Sequence, residues 1–153
     1  MTKKQEFINA LTNLKNKGMM GGFDPQAIYT QATLETGHIK EDDKLVQNYN
    51  LFGVKSHEDW KGAEVEVDTA EVINGKLVNI KDWFISFADF YKMLVFYMNK
   101  IQHDYPNAYN NRADYREYFK GLLSGVKKWS TSPAYADTLI ALYDRMKKEG
   151  DIV

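Results

Sequence analysis

The alternation of hydrophobic and polar positions predicts helices along most of the chain and one pair of strands. Apolar residues recur every three or four positions in four segments, the spacing of helices that bury one face. These segments are residues 2–17, 83–101, 111–123 and 133–146. Between residues 64 and 82 the apolar spacing becomes two, as in a strand, and Asn74-Gly75 is a strong hairpin signal. Helices with one inserted hairpin indicate an α+β domain, which we expect to comprise residues 1–153.

A further short helix is marked at both ends, between Asp24 and Gly37. The Asp24 side chain is suited to capping free backbone amides, and Pro25 suits the first helical position. Gly37 provides the left-handed conformation with which many helices end. We therefore predict a helix over residues 25–36.

Glu35 is the candidate general acid of this helix. Ile28, Ala32 and Glu35 are spaced at i, i+4 and i+7, so they share one helix face, which we expect to point at the core. Burial and the negative end of the helix dipole both favour a protonated carboxyl, the form that a general acid needs. The alternative is a solvated glutamate at a frayed helix end beside Gly37.

Glu71 is the candidate second carboxylate. It lies near the tip of the predicted hairpin, on the same strand face as Val65, Val67 and Ile73. A carboxylate in that position would lean over a cleft and act as the second acid of a pair. The alternative is an exposed charge that prevents association between sheet edges.

The segment from Asn48 to Lys55, followed by Trp60, is rich in amide and aromatic side chains. Such a loop suits a site that hydrogen-bonds and stacks on a neutral polar ligand, such as a sugar. It is the third feature of the sequence that points to a carbohydrate site.

Charge and composition exclude several other functions. The net charge is −1, so nothing indicates electrostatic capture of nucleic acid or of an anionic membrane. Cysteine is absent, which excludes disulfides, thiolate metal sites and a cysteine nucleophile. His38, His57 and His103 lack metal-site spacing, and we expect all three at the surface. No metal or organic cofactor is called for.

The N-terminal sequence has lysines but no apolar segment of a signal peptide behind them, and no apolar run reaches membrane-spanning length. We therefore expect synthesis in the cytoplasm. If the protein acts outside the cell, another route must release it.

Six short motifs follow one another in the order and spacing of a known family. They are Gln31–Gly37, Asn50–Lys55, Trp60–Gly62, Thr69–Glu71, Trp83–Phe87 and Trp129–Tyr135. From about Phe7 to Met146, the chain resembles the glucosaminidase domain of glycoside hydrolase family 73. This family contains bacterial and phage wall-cutting enzymes related to the flagellar peptidoglycan hydrolase.

The resemblance implies a lysozyme-like α+β fold, with a mainly helical body and one β-hairpin lobe flanking a substrate groove. It implies an endo-β-N-acetylglucosaminidase that cuts the β-1,4 bond after N-acetylglucosamine in peptidoglycan, without a cofactor. The expected partner is the glycan strand, and the expected state is a monomer. The protein would act on the bacterial cell wall, for example as a phage endolysin released by lysis, or as an excised catalytic domain.

The resemblance also assigns residues. Glu35 matches the general acid of the family, and Glu71 matches the hairpin acid that serves as base or stabiliser. The expected substrate-binding residues are Asn50, Phe52, Lys55, Trp60, Trp129 and Tyr135. In the last motif the family usually has Tyr-Ala-Thr-Asp-Pro-x-Tyr, and here Trp129 and Ser132 replace the first Tyr and the Asp. Trp129 therefore lacks a tyrosine hydroxyl, whereas Tyr135 keeps one.

Three alternative functions are left open at this point. A lytic transglycosylase uses a similar helix-borne glutamate on the same polymer but leaves an anhydro-muramic end. A wall-binding module that has lost catalysis would explain the altered Tyr/Asp motif. A purely helical interaction protein would leave the ordered motifs unexplained.

Overall fold

A computed structural model describes residues 1–151 and 153 of the chain. Its described part has an α+β architecture, a helical body with one two-stranded sheet, which confirms the predicted class. The elements are α1 (Lys3–Asn16), α2 (Pro25–Thr36), α3 (Lys44–Gln47), β1 (Glu64–Ile73), β2 (Lys76–Ile85), α4 (Phe90–Asp104), α5 (Pro106–Asn110), α6 (Tyr115–Gly121) and α7 (Tyr135–Glu149).

The hairpin forms where the sequence predicts it. Strands β1 and β2 are antiparallel, and Ile73 lies opposite Lys76 at the turn. Asn74 and Gly75 both have positive φ, 52° and 77°, as a two-residue type I′ turn requires. The turn chemistry of these two residues thus sets the register of the ribbon.

Strand β2 is longer than predicted and continues through residues 83–85, which we expected to lead into a helix. Two neighbours account for this extension. Phe84 lies opposite Val65 in the hairpin and also forms an isolated bridge with Lys55. Helix α4 therefore begins only at Phe90, after an Asp89 cap.

Helix α2 has the predicted bounds. Asp24 Oδ1 accepts a hydrogen bond of 2.9 Å from the Gln26 amide, and Gly37 ends the helix with φ of 58°. Eight consecutive residues of this helix, 26–33, are buried, because α2 packs against both α1 and α7. A short helix at the centre of the body is a rigid support for a functional side chain at its end.

Two other predictions are wrong in detail. The expected helix over residues 111–123 is shortened to α6, because the Asp114 side chain caps a helix that begins at Tyr115, and α5 ends before this segment, at Asn110. The polar segment 38–47, expected to be a loop, contains the single turn α3. The apolar residues that predicted the longer helix, including Tyr118 and Phe119, are nonetheless buried.

Aromatic rings make up much of the core. Phe52 stacks on Tyr97 with ring centroids 4.2 Å apart, and Tyr115 stacks on Tyr143 at 3.7 Å. Ring pairs of this kind contribute packing energy beyond the area that they bury.

Among residues 1–151 and 153, no helix has the length and apolar character needed to cross a membrane.

Candidate active site

A groove crosses the helical body at the C-terminal end of α2. Its first cavity has a volume of about 320 Å³ and contains Glu35. The lining residues are Glu35, Phe52, Gly53, Val54, Lys55, His57, Lys100, Tyr105 and Trp129. Glu35 is the one acidic residue in this lining, within the part of the chain that the structure describes.

A second cavity of about 230 Å³ extends the first toward the base of the hairpin. The two cavities share Val54, Lys55, His57 and Lys100, so they form one continuous groove. The second cavity adds Trp60, which we predicted as a substrate contact, with Asp59, Ile85 and Phe96. The Trp60 ring meets Phe96 edge to face at 6.2 Å, and its Nε1 donates to the Ala63 carbonyl.

Two side chains donate hydrogen bonds to the same oxygen of Glu35. Trp129 Nε1 lies 3.1 Å from Glu35 Oε1, and the Tyr135 hydroxyl donates to that oxygen as well. No described residue makes a hydrogen bond or ion pair with Oε2. Glu35 is thereby oriented through one oxygen and keeps the other available for proton transfer.

The predicted burial of Glu35 is wrong. Ile28 and Ala32, on the same helix face, are fully buried, but Glu35 is exposed. The reason is that the packed core ends before the last turn of α2, where the groove opens. The alternative of a freely solvated side chain does not describe Glu35 either, since Trp129 and Tyr135 both donate to it.

Tyr135 is a permanent donor in this arrangement. Burial raises the pKa of its hydroxyl far above the ordinary range, and the neighbouring Glu35 charge raises it further. Both effects disfavour a second negative charge beside the carboxylate. The Tyr135 hydroxyl therefore keeps its proton at every physiological pH.

Lys55 connects the groove to the hairpin. Its Nζ lies 2.8 Å from Asp82 Oδ2 and 3.3 Å from Glu71 Oε1. The hydrogen bond from Lys55 lowers the pKa of Asp82, and the same contact is the main cause that raises the pKa of Lys55. Glu71 does not line the Glu35 cavity, but it forms an ion pair with Lys55, which does.

Asp82 was not predicted as a site residue, although the sequence carries a signal for it. In the hairpin register Asp82 lies opposite Val67, which places it on the same face as Glu71. Once the turn at Asn74 and Gly75 is fixed, this pairing follows by counting along the strands.

Asn50 does not contact the groove, which corrects its predicted role in substrate binding. It is fully buried, and its side-chain amide donates to the Val54 and Ile85 carbonyls, at 2.9 Å each. Its Oδ1 accepts from the Val54 amide at 3.0 Å. Asn50 therefore fastens the groove loop to strand β2.

The remaining predicted contacts, Phe52 and Lys55, do line the groove, and Phe52 does so from a largely buried position. Sequence reasoning missed His57, Lys100 and Tyr105. His57 is exposed as expected, but it faces both cavities. No local pattern marks Lys100 or Tyr105, because the packing of α4 against the body decides which of its sides meets the groove.

The described residues contain no group of three or more histidine, aspartate or glutamate side chains placed to hold a metal ion.

Curated relatives point to one kind of enzyme. The chain is 29% identical over 135 residues to the peptidoglycan hydrolase FlgJ of Escherichia coli (strain K12), covering 86% of this chain and 43% of that protein. It is 28% identical over 149 residues to FlgJ of Pseudomonas aeruginosa, covering 93% of this chain and 36% of that protein. The chain thus spans less than half the length of these relatives.

Solved structures share its fold. A C-terminally truncated glycoside hydrolase domain of Salmonella typhimurium FlgJ superposes with a TM-score of 0.71 at 24% identity, covering 95% of this chain and 98% of that one. The catalytic domain of the autolysin Auto from Listeria monocytogenes gives 0.71 at 24% identity, covering 96% and 86%. These similarities confirm the expected lysozyme-like fold.

The family itself is shown by sequence. A family model for glucosaminidases, described as mannosyl-glycoprotein endo-beta-N-acetylglucosaminidase, matches residues 13–148. That match covers most of the chain and includes Glu35, Glu71 and Trp129. The chain therefore belongs to the glucosaminidase family of glycoside hydrolases, family 73.

Proposed function

We propose that this chain is a peptidoglycan hydrolase, an endo-β-N-acetylglucosaminidase that cuts the β-1,4 bond after N-acetylglucosamine, with Glu35 as general acid. One observation carries the proposal. Trp129 and Tyr135 both donate to Glu35 Oε1 at the edge of an open groove, and no described residue binds Oε2. Membership of the glucosaminidase family and similarity to peptidoglycan hydrolases supply the substrate class.

The proposed first step is departure of the leaving sugar. A proton on Glu35 Oε2 passes to the glycosidic oxygen as the C–O bond breaks, and positive charge develops at the anomeric carbon. Glu35 becomes a carboxylate in this step. The hydrogen bonds from Trp129 and Tyr135 then stabilise the new charge on Oε1, so they favour proton donation.

In the second step water bonds to the anomeric carbon and releases a proton. We propose that Glu71 takes this proton as the base, or that Glu71 stabilises the positive charge while the Glu35 carboxylate takes the proton. Lys55 lies closer to Asp82, at 2.8 Å, than to Glu71, at 3.3 Å. Lys55 can therefore stay paired with Asp82 while Glu71 turns toward the groove. If Glu71 does not take this role, the acetamido group of the substrate is the remaining internal nucleophile.

The groove offers surfaces for successive sugar rings. Trp129 lines the first cavity and Trp60 the second, and aromatic rings of this kind suit stacking on sugars. Phe52 also lines the first cavity, and Lys55 lines both. We propose that these four residues bind the glycan strand, which places the action of the protein at the bacterial cell wall.

A lytic transglycosylase on the same polymer is the second candidate. The observation that favours it is that Glu35 is the one acidic residue lining its cavity in the described part of the chain. A single carboxyl would serve as acid and then as base in that reaction. A wall-binding module without catalysis is less well supported, since Trp129 supplies Glu35 with a hydrogen bond in spite of lacking a hydroxyl.

Product analysis tests the proposal. Purified peptidoglycan is digested with the wild type, with Glu35→Gln and with Glu117→Gln, a control at an exposed glutamate of α6 that pairs with Lys120. We expect N-acetylglucosamine at free reducing ends from the wild type and the control, and about a thousandfold less from Glu35→Gln. Anhydro-muramic ends would establish the transglycosylase instead. Near wild-type release by a folded Glu35→Gln variant would refute the assignment of Glu35.

A further inference from the structure

A chain of hydrogen bonds leads from the buried core to Glu35 at the groove. The hydroxyls of Tyr118 and Tyr97 lie 2.5 Å apart, and the Tyr97 hydroxyl donates to Gln31 Oε1. Gln31 Nε2 donates in turn to the Tyr135 hydroxyl oxygen at 3.2 Å. Tyr135 then donates to Glu35 Oε1. The chain therefore joins α6, α4, α2 and α7 at the end of one carboxylate.

The protons of this chain all point the same way. An ionised Glu35 only accepts, so the single hydroxyl proton of Tyr135 is directed at it. The Tyr135 oxygen is then free to accept from Gln31, which requires the amide nitrogen of Gln31 on that side. Gln31 Oε1 consequently faces Tyr97 and takes its proton. The orientation of the Gln31 amide is thus fixed from both ends.

The three tyrosines of this hydrogen-bond chain keep their hydroxyl protons. Burial is the main cause that raises the pKa of Tyr97, Tyr118 and Tyr135 well above the ordinary range. All three hydroxyls are therefore protonated throughout the physiological range. Gln31 does not ionise, so none of the four residues that lead to Glu35 gains or loses a charge.

This hydrogen-bond chain places polar side chains in the core, where apolar side chains would lose less free energy of hydration. Gln31, Tyr97 and Tyr118 are at most 1% exposed, and burying a hydroxyl or an amide costs free energy that a hydrogen bond only partly offsets. Phenylalanine and methionine would fill the same space without that cost. No described residue has a buried side-chain polar atom without a partner, so the network is completely satisfied. A satisfied polar network in a core specifies one arrangement of its members.

We propose that Gln31 and Tyr97 are positioning residues for Glu35. They keep the Tyr135 hydroxyl proton directed at Glu35 Oε1 and so leave Oε2 as the oxygen that carries the transferable proton. This inference rests on the proposed function of Glu35 as general acid. It extends the site from the groove surface to the buried face of α2 and the middle of α4.

Removal of the Tyr97 hydroxyl should reverse the Gln31 amide. In Tyr97→Phe, Gln31 Oε1 has lost its donor, and a 180° rotation of the amide brings that oxygen to Tyr135. The Tyr135 hydroxyl then donates to Gln31 rather than to Glu35. Gln31→Met acts differently: it removes both polar atoms of the amide at nearly constant volume, so the Tyr135 hydroxyl loses the Nε2 donor that keeps its proton directed at Glu35.

The matched control is Tyr143→Phe. Tyr143 is also buried and also donates to a carboxylate, Asp24 Oδ2 at 2.7 Å, but it is not part of the chain. It therefore reproduces the loss of a buried tyrosine hydroxyl bonded to an acid. A merely structural effect should appear equally in Tyr97→Phe and Tyr143→Phe.

Proton NMR gives a readout that does not depend on catalysis. A tyrosine hydroxyl proton that is donated to a carboxylate resonates downfield of one donated to an amide oxygen. We expect the Tyr135 hydroxyl signal to move upfield in Tyr97→Phe and to keep its position in Tyr143→Phe. An unchanged Tyr135 signal in a folded Tyr97→Phe variant would overturn the inference, whatever reaction the protein catalyses.

Kinetics on soluble, un-cross-linked glycan strands tests the consequence. We expect kcat to fall about tenfold in Tyr97→Phe with little change in KM, the effect of losing one charge-assisted hydrogen bond in the transition state. The losses in Tyr97→Phe and Gln31→Met should not add in the double variant, since both remove the same constraint. Equal kcat in Tyr97→Phe and Tyr143→Phe would contradict the positioning role. If the wild type releases no reducing ends, the proposed function fails, and the Tyr135 signal still decides the inference.

Discussion

The indole nitrogen of Trp129 lies 3.1 Å from Glu35 Oε1 and donates a hydrogen bond to it across 94 residues of sequence. The Trp129 backbone amide bonds to the Leu122 carbonyl at 2.9 Å, and its ring packs against Tyr105 at 5.4 Å. These contacts fix the indole beside the acid. The absence of a tyrosine hydroxyl at this position therefore does not leave Glu35 without a donor.

Substitution of Trp129 by phenylalanine should separate its hydrogen bond from its ring. Trp129→Phe keeps an aromatic surface in the groove but removes the Nε1 donor, so we expect kcat for peptidoglycan cleavage to fall about tenfold. Steady-state kinetics on soluble glycan strands measures this loss. Trp129→Tyr offers a hydroxyl donor in place of the indole nitrogen and should recover part of the activity. Full activity in Trp129→Phe would show that the indole serves only to pack or stack.

Asn50→Ala should affect stability rather than substrate binding. It removes the hydrogen bonds that Asn50 makes with the Val54 amide and with the Ile85 carbonyl, whereas the Val54 carbonyl still accepts from the Ile85 amide. We expect the free energy of unfolding to fall by about 3 kcal/mol, measured by urea denaturation. Asn79→Ala, at an exposed hairpin position, is the control and should change the value by less than about 0.5 kcal/mol. A raised KM with unchanged stability would restore Asn50 as a substrate contact.

Lys55→Met should loosen the hairpin in a pH-dependent way. The folded protein lowers the pKa of Asp82 and raises that of Lys55, so their ion pair stabilises the fold between the unfolded values of 3.8 and 10.5. That contribution is lost as the pH falls through the depressed Asp82 value, and again as it rises through the elevated Lys55 value. Amide protection factors in strands β1 and β2 should therefore differ between wild type and variant at pH 7 and converge near pH 2.

The control for this experiment is Lys81→Met, which removes a lysine from the other face of the hairpin, opposite Asp68. It should leave the protection factors of the strands close to wild type at both pH values. An effect as large as that of Lys55→Met would mean that hairpin charge in general, and not the pair with Asp82, stabilises the ribbon.

Local chemistry in the sequence determined the elements that carry the site. The Asp24 cap, Pro25 and the left-handed Gly37 fix α2, and Asn74-Gly75 fixes the hairpin, because each signal acts over only a few residues of backbone. The start of α6 at Tyr115, later than predicted, is set by the Asp114 cap, which is likewise a local signal. The ordered motifs also indicated the family, and the match of the glucosaminidase family model to residues 13–148 confirms it.

Tertiary packing alone decided what surrounds the acid. Helical spacing places Glu35 on the face of Ile28 and Ala32 but says nothing of where the core ends, and so the expected burial was wrong. The donors Trp129 and Tyr135 reach it from about a hundred residues away, and the amide of Asn50 proved to support the loop rather than face the groove. Such contacts join residues that are far apart in the sequence. They depend on how the helices and loops pack across the whole body, which no short stretch of sequence determines.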